Sequence, residues 1–129
     1  MIQKIKETCL YVSDLDKTQN FYHNVLELPI ISRKEDAFIF FRAGSDVLLC
    51  FMNEYAASQE HLPAHFANGN IHFAFEAKVE DYQLWKNKIK EAGIEITHEQ
   101  EWKNNLMSFY FEDPNKHVLE IVSEGIWDE

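Results

Sequence analysis

The spacing of apolar and polar residues changes period several times along this chain, and each change marks an element. Residues 3–12 read as a strand, with Ile5, Tyr11 and Val12 among its apolar members. Ser13 and Asp14 then offer an N-cap, and Asp16 falls in a first helical turn, where the helix dipole favours an acid. Leu15, Thr18, Phe21, Tyr22, Val25 and Leu26 recur at helical spacing, which predicts a helix over 14–26 that Pro29 stops. Strands are expected at 30–33 and 38–42. The unbroken apolar run Val47-Leu48-Leu49-Cys50-Phe51-Met52 has the character of a strand covered on both faces. Residues 54–68 carry Pro63 between His61 and His65, show no period, and read as a connection.

The second half restarts the same order. Residues 71–75 read as a strand, and Val79, Tyr82, Trp85, Ile89 and Ala92 fall at helical spacing before Gly93, the residue that closes a helix most easily. Further strands are expected at 94–99, 106–111 and 118–122, with a turn at Asp113-Pro114-Asn115 and the apolar pair Ile126-Trp127 packing onto the body. Matched element by element, His72 falls on Glu7, Phe40-Phe41-Arg42 on Tyr110-Phe111-Glu112, and Val47-Leu48-Leu49 on Val118-Leu119-Glu120. An internal duplication constrains topology strongly. The expected fold is α+β: two βαβββ modules forming a cupped mixed sheet within a single domain over 1–129. Module one spans about 1–55, the connection about 56–68 and module two about 69–129.

Composition narrows the function classes. The 129 residues suffice for one domain with a real core. Four Gly and three Pro leave no room for a flexible linker. No apolar run reaches the ~18–20 residues of a membrane span, and the first residues lack a signal-peptide core, so neither a membrane nor export is expected. Two cysteines, Cys9 and Cys50, both in apolar runs, read as small core residues of a reduced, cytoplasmic protein. The net charge of −10, from 22 acidic and 12 basic side chains, excludes a nucleic-acid partner that needs a basic stripe. It also weighs against a strongly anionic substrate and would welcome a cation.

Leu10-Tyr11-Val12-Ser13-Asp14-Leu15, Phe21-Tyr22, Val25-Leu26-Glu27-Leu28, Gly69-Asn70-Ile71-His72-Phe73-Ala74-Phe75, and Tyr110-Phe111-Glu112-Asp113-Pro114-Asn115 with Leu119-Glu120 together resemble the vicinal oxygen chelate superfamily. That superfamily includes glyoxalase I, fosfomycin-resistance transferases, extradiol dioxygenases and bleomycin-resistance proteins. The resemblance covers essentially the whole chain and implies a glyoxalase-like fold whose metal ligands project from the first and last strands of each module. By analogy those positions are Glu7, Leu49, His72 and Glu120. Leu49 cannot ligate, so the resemblance implies a three-ligand set of Glu7, His72 and Glu120 holding a divalent ion (Mn, Fe, Ni, Co or Zn). Glu7 stands where the family commonly has a histidine.

The residues themselves are compatible with that set. His72 alone would be an ordinary core imidazole. Glu120, however, interrupts Val118-Leu119-Glu120-Ile121-Val122, and a buried carboxylate costs several kcal/mol unless it meets a cation. His65 is a candidate rim acid or base, His61 and His117 read as surface residues, and Tyr110, Trp102 and Phe75 could line a pocket. The resemblance implies an enzyme in which the metal acts as Lewis acid on a small substrate with vicinal oxygens, and commonly a homodimer that shares its cups between subunits. Fosfomycin-type transfer would need cations around a phosphonate, and Arg33, Arg42 and Lys103 are not evidently placed for that role. The other class left open is a metal-free, bleomycin-resistance-type protein sequestering a cationic or aromatic small molecule.

Overall fold

The computed structural model describes residues 1–128, which form two compact units, one over Met1–Gly69 and a second beginning at Asn70. In the first unit β1 (Glu7–Val12) leads into α1 (Leu15–Gln19), which continues as a π-helical turn over Asn20–Val25. Asp14 caps the helix, its carboxylate accepting from the Lys17 N–H at 3.0 Å. The wider π turn accompanies burial of two consecutive aromatic residues, Phe21 and Tyr22, which a regular α-helix would turn apart. The helix ends at Leu26, and Glu27 takes a left-handed φ of 62° before Pro29 is reached.

Three strands complete the unit: β2 (Ile30–Lys34), β3 (Phe38–Ala43) and β4 (Asp46–Met52). The sheet order is β1-β4-β3-β2, with β1 parallel to β4 and the other pairs antiparallel. One face carries Leu10, Val12, Ile39, Phe41, Leu48 and Cys50, all at most 3% exposed, and the helix closes over it, Tyr22 lying 5.6 Å from Phe41 between ring centroids. Each such side chain contributes roughly 1.5–3 kcal/mol on burial. A short helix, α2 (Asn53–Ala57), follows β4 inside the stretch expected to be irregular.

The second unit repeats the plan. Its strands are β5 (His72–Ala77), β6 (His98–Glu101), β7 (Met107–Glu112) and β8 (Val118–Ser123), in the order β5-β8-β7-β6, and α3 (Tyr82–Glu91) packs on one face. Ile89, Phe109, Phe111 and Leu119 are fully buried there, and Tyr82 meets Phe109 edge-on at 5.5 Å. Gly93 follows the helix at φ 78°.

The registers carry the duplication to individual residues. Glu7 pairs with Val47 as His72 pairs with Val118, and Phe40 faces Leu49 as Tyr110 faces Glu120. Several expectations are corrected. β1 begins at Glu7, four residues later than the sequence suggests. β6 starts only at His98, because Ile94 N–H is held by Ile89 O at the end of the helix. Cys50 is buried as expected, whereas Cys9 is only half-buried. Trp127 is 89% exposed and does not pack. His117 is 2% exposed instead of lying on the surface, because its Nδ1 accepts the Ile71 N–H at 3.1 Å. No helix among the described residues is long and apolar enough to cross a membrane.

Candidate metal centre

The sheet face of the second unit away from α3 is polar. β5 contributes His72, β8 Glu120, β7 Ser108 and Tyr110, and β6 His98. Glu120, Tyr110 and His98 form one row across three neighbouring strands. His72 Nε2 lies 3.2 Å from Glu120 Oε1, and His72 Nδ1 lies 2.8 Å from the Val118 carbonyl oxygen.

That geometry determines the tautomer. A carbonyl oxygen only accepts, so Nδ1 carries the proton, and Nε2 of the neutral ring turns a lone pair toward the carboxylate. Two acceptors at this distance repel unless a proton or a cation stands between them. Two ligands each about 2.1 Å from one ion lie about 3.0 Å apart at a right angle and about 3.4 Å apart at the tetrahedral angle. The separation falls inside that interval, and the backbone carbonyl behind the imidazole is the kind of partner that orients a ligating histidine. The donor set therefore fits a divalent cation. Glu120 is 6% exposed, so water does little to screen its charge.

Tyr110 borders the pair. Its ring centroid is 5.9 Å from that of His72 and 5.7 Å from that of His98. Burial pushes its phenol above the ordinary value, a hydrogen bond with Ser108 opposes this, and the negative charge of Glu120 and a hydrogen bond with that carboxylate add to the rise. Near neutral pH Tyr110 is therefore a neutral hydrogen-bond donor. Ser108 in turn accepts from Trp102 Nε1 at 2.9 Å, which ties Trp102 to this face. Phe75 does not line it: it pairs with Ile121 and belongs to the helix-covered side.

Glu7 stands exposed on β1 of the first unit, at the register position that His72 holds in the second. Among the described residues no group of three or more His, Cys, Asp or Glu side chains comes together to hold a metal. The same face of the first unit is aromatic. Phe38 and Phe40 stack at 4.2 Å, and Phe51 meets both edge-on. His65 lies edge-on to Phe51 at 4.8 Å, and its Nδ1 is 2.6 Å from the Tyr11 hydroxyl. Burial raises the pKa of both Tyr11 and its neighbour Cys9. His61 is exposed. Arg33 is engaged by Asp16 and Glu35, each at 2.8 Å, and the Lys103 ammonium by the Asp128 carbonyl.

The family model of the Glyoxalase/Bleomycin resistance protein/Dioxygenase superfamily matches residues 4–121. This chain belongs to that superfamily. Among similar members, the glutathione transferase FosA of Serratia marcescens is 31% identical over 124 residues, covering 94% of this chain and 81% of that protein. The fosfomycin resistance protein FosX of Listeria innocua is 30% identical over 129 residues, covering 94% of this chain and 90% of that one. A lactoylglutathione lyase from Agrobacterium tumefaciens superposes with a TM-score of 0.93 at 29% identity, over 99% of this chain and 98% of that one. The fosfomycin-related members stand out although the net charge of −10 weighs against an anionic substrate.

Of the residues expected to converge, His72 and Glu120 lie together, and the sequence gives no sign of Ser108 and His98 beside them or of the partner of His65. Tyr11 lies two residues from Cys9 and four from Glu7 on one strand, so strand alternation alone places all three on one face. His65 lies in a segment without periodicity, which gave no indication that it would reach Tyr11.

Proposed function

We propose that the chain is a metal-dependent enzyme acting on a small substrate with two neighbouring oxygens. The observation that carries this reading is the His72–Glu120 pair, whose facing acceptors need a proton or a cation between them and whose 3.2 Å separation fits two ligands of one ion. Glu7, at the position equivalent to His72, is the third ligand, supplied by a second copy of the chain in a homodimer. That assignment rests on the repeat register, which gives Glu7 in the first unit the place that His72 holds in the second. When bound, the divalent ion supplies Lewis acidity at an oxygen that gains negative charge.

The protein's own groups do the rest. Tyr110 donates a hydrogen bond to a substrate oxygen, and its raised pKa keeps the phenol protonated while it does so. His65, its Nδ1 held by Tyr11, exchanges a proton at Nε2. The names of the relatives make fosfomycin and glutathione adducts the first substrates to try.

Metal content by mass spectrometry, on protein purified without chelator, tests the assignment. About one divalent ion per chain, lost in both Glu120→Ala and Glu7→Ala, is expected. Wild-type protein that stays metal-free after reconstitution with Mn, Fe, Ni, Co and Zn would overturn it. A second reading, a metal-free protein that sequesters a cationic or aromatic compound, is favoured by the aromatic face of the first unit, where Lys34 Nζ already lies 5.1 Å over the Tyr55 ring. Tight stoichiometric binding without turnover, in protein that takes up no metal, would select it.

A further inference from the structure

We propose that His117 is a positioning residue for His72, acting through the backbone of Ile71. This rests on the reading of His72 as a ligand and adds a residue that holds it in place.

The connection runs through five hydrogen bonds. The turn before β8 is fixed by Asp113, whose Oδ1 accepts from the N–H groups of both Asn115 and His117 at 2.9 Å. Lys116 takes a left-handed φ of 66° inside that turn, which swings the next side chain inward. The buried His117 ring then accepts the Ile71 N–H on Nδ1 at 3.1 Å. Ile71 O accepts the Val118 N–H at 2.8 Å, and Val118 O receives the His72 Nδ1–H, also at 2.8 Å.

Ile71 immediately precedes β5, where the strand ladder has not yet begun. Its N–H would otherwise be a half-buried donor with no ladder partner, and leaving such a group unmet weakens the local register. The imidazole of His117 therefore fixes the residue before His72 against the residue before Val118. A slip here turns every β5 side chain to the other face, and His72 would leave Glu120. The demand is specific. Nδ1 must be an unprotonated acceptor, so Asn, whose Oδ1 reaches about as far as Nδ1, can replace it, and Leu, of similar size, cannot.

The test compares wild type, His117→Asn, His117→Leu and a backbone variant in which Ile71 is replaced by its α-hydroxy analogue. The last variant removes the N–H donor, makes the Asn70 carbonyl a weaker acceptor, and leaves the His117 side chain in place. Two quantities are read: exchange of the His72 Nδ1–H by NMR in metal-free protein, and affinity for Mn²⁺ alone by calorimetry. The Leu and hydroxy-acid variants are expected to exchange His72 Nδ1–H at least tenfold faster and to bind Mn²⁺ at least tenfold more weakly, with Asn within about threefold of wild type. Should Leu fail to fold, the hydroxy-acid and Asn variants carry the comparison. Wild-type exchange of His72 in the hydroxy-acid variant overturns the proposal. If wild type binds no Mn²⁺ but the exchange rates divide as stated, the positioning role stands and the metal reading falls.

Discussion

Tyr110 lies directly across from Glu120 on the neighbouring strand, with its ring 5.9 Å from that of His72. It borders the His72–Glu120 pair yet is a poor metal ligand when neutral. Tyr110→Phe should therefore leave metal content unchanged while weakening catalysis of any accepted substrate by about 10–100-fold, the cost of one hydrogen bond to a charged group. In the metal-free protein, where its pKa is raised, this phenol should not ionise below about pH 10. Metal analysis and turnover of the loaded protein check the first expectation, and an ultraviolet pH titration of the metal-free protein checks the second.

On the proposed reading, Glu120 serves as a ligand at a cost to the fold. With chelator present, Glu120→Gln is expected to melt at a higher temperature than wild type, since the substitution removes a buried charge at nearly constant volume. A gain of about 1 kcal/mol is reasonable for relieving such a site. Adding Mn²⁺ should reverse the order, raising the wild-type midpoint and leaving the variant unmoved. Thermal melts in the two buffers measure this.

Glu99 gives the second unit a pH-dependent tether. Its carboxylate accepts from Lys86 Nζ at 2.6 Å and from the Tyr82 hydroxyl at 2.7 Å, and the first of these is the main reason its pKa lies below the ordinary 4.5. A depressed folded-state pKa stabilises above the unfolded value and ceases to do so as pH falls through the folded one. Glu99→Gln should thus cost about 0.5–1 kcal/mol at pH 7 and less at pH 3. Urea titrations of both proteins at the two values decide it.

Phe41 is fully buried in the first unit, in contact with Tyr22 on the π-helical turn. Phe41→Ala is expected to destabilise by about 3–5 kcal/mol. The loss should appear as a lower denaturation midpoint, with the Glu99 tether of the other unit still responding to pH.

The repeat was legible because hydrophobic period and turn residues recur in the same order, and the registers place Glu7 with His72 and Leu49 with Glu120 as the pattern implied. What escaped were side chains whose surroundings come from distant segments. His117 follows a polar turn, which suggested exposure, but the turn folds it under Ile71. His65 sits in a segment with no period, and a single hydrogen bond to Tyr11 fixes its ring. Trp127 shows the opposite error: apolar character at the tail did not find a surface to cover.

The parallel pairing of the first and last strands of each unit has a consequence for synthesis. His72 and its carbonyl partner at Val118 are separated by 46 residues of chain, and nothing nearer in sequence can stand in for β8. On the ribosome His72 therefore emerges well before its partners, beside an unpaired strand edge. Closure of that loop is a late, non-local event. On the proposed reading, an ion meeting the half-made chain finds His72 without Glu120, and loading waits until β8 has docked.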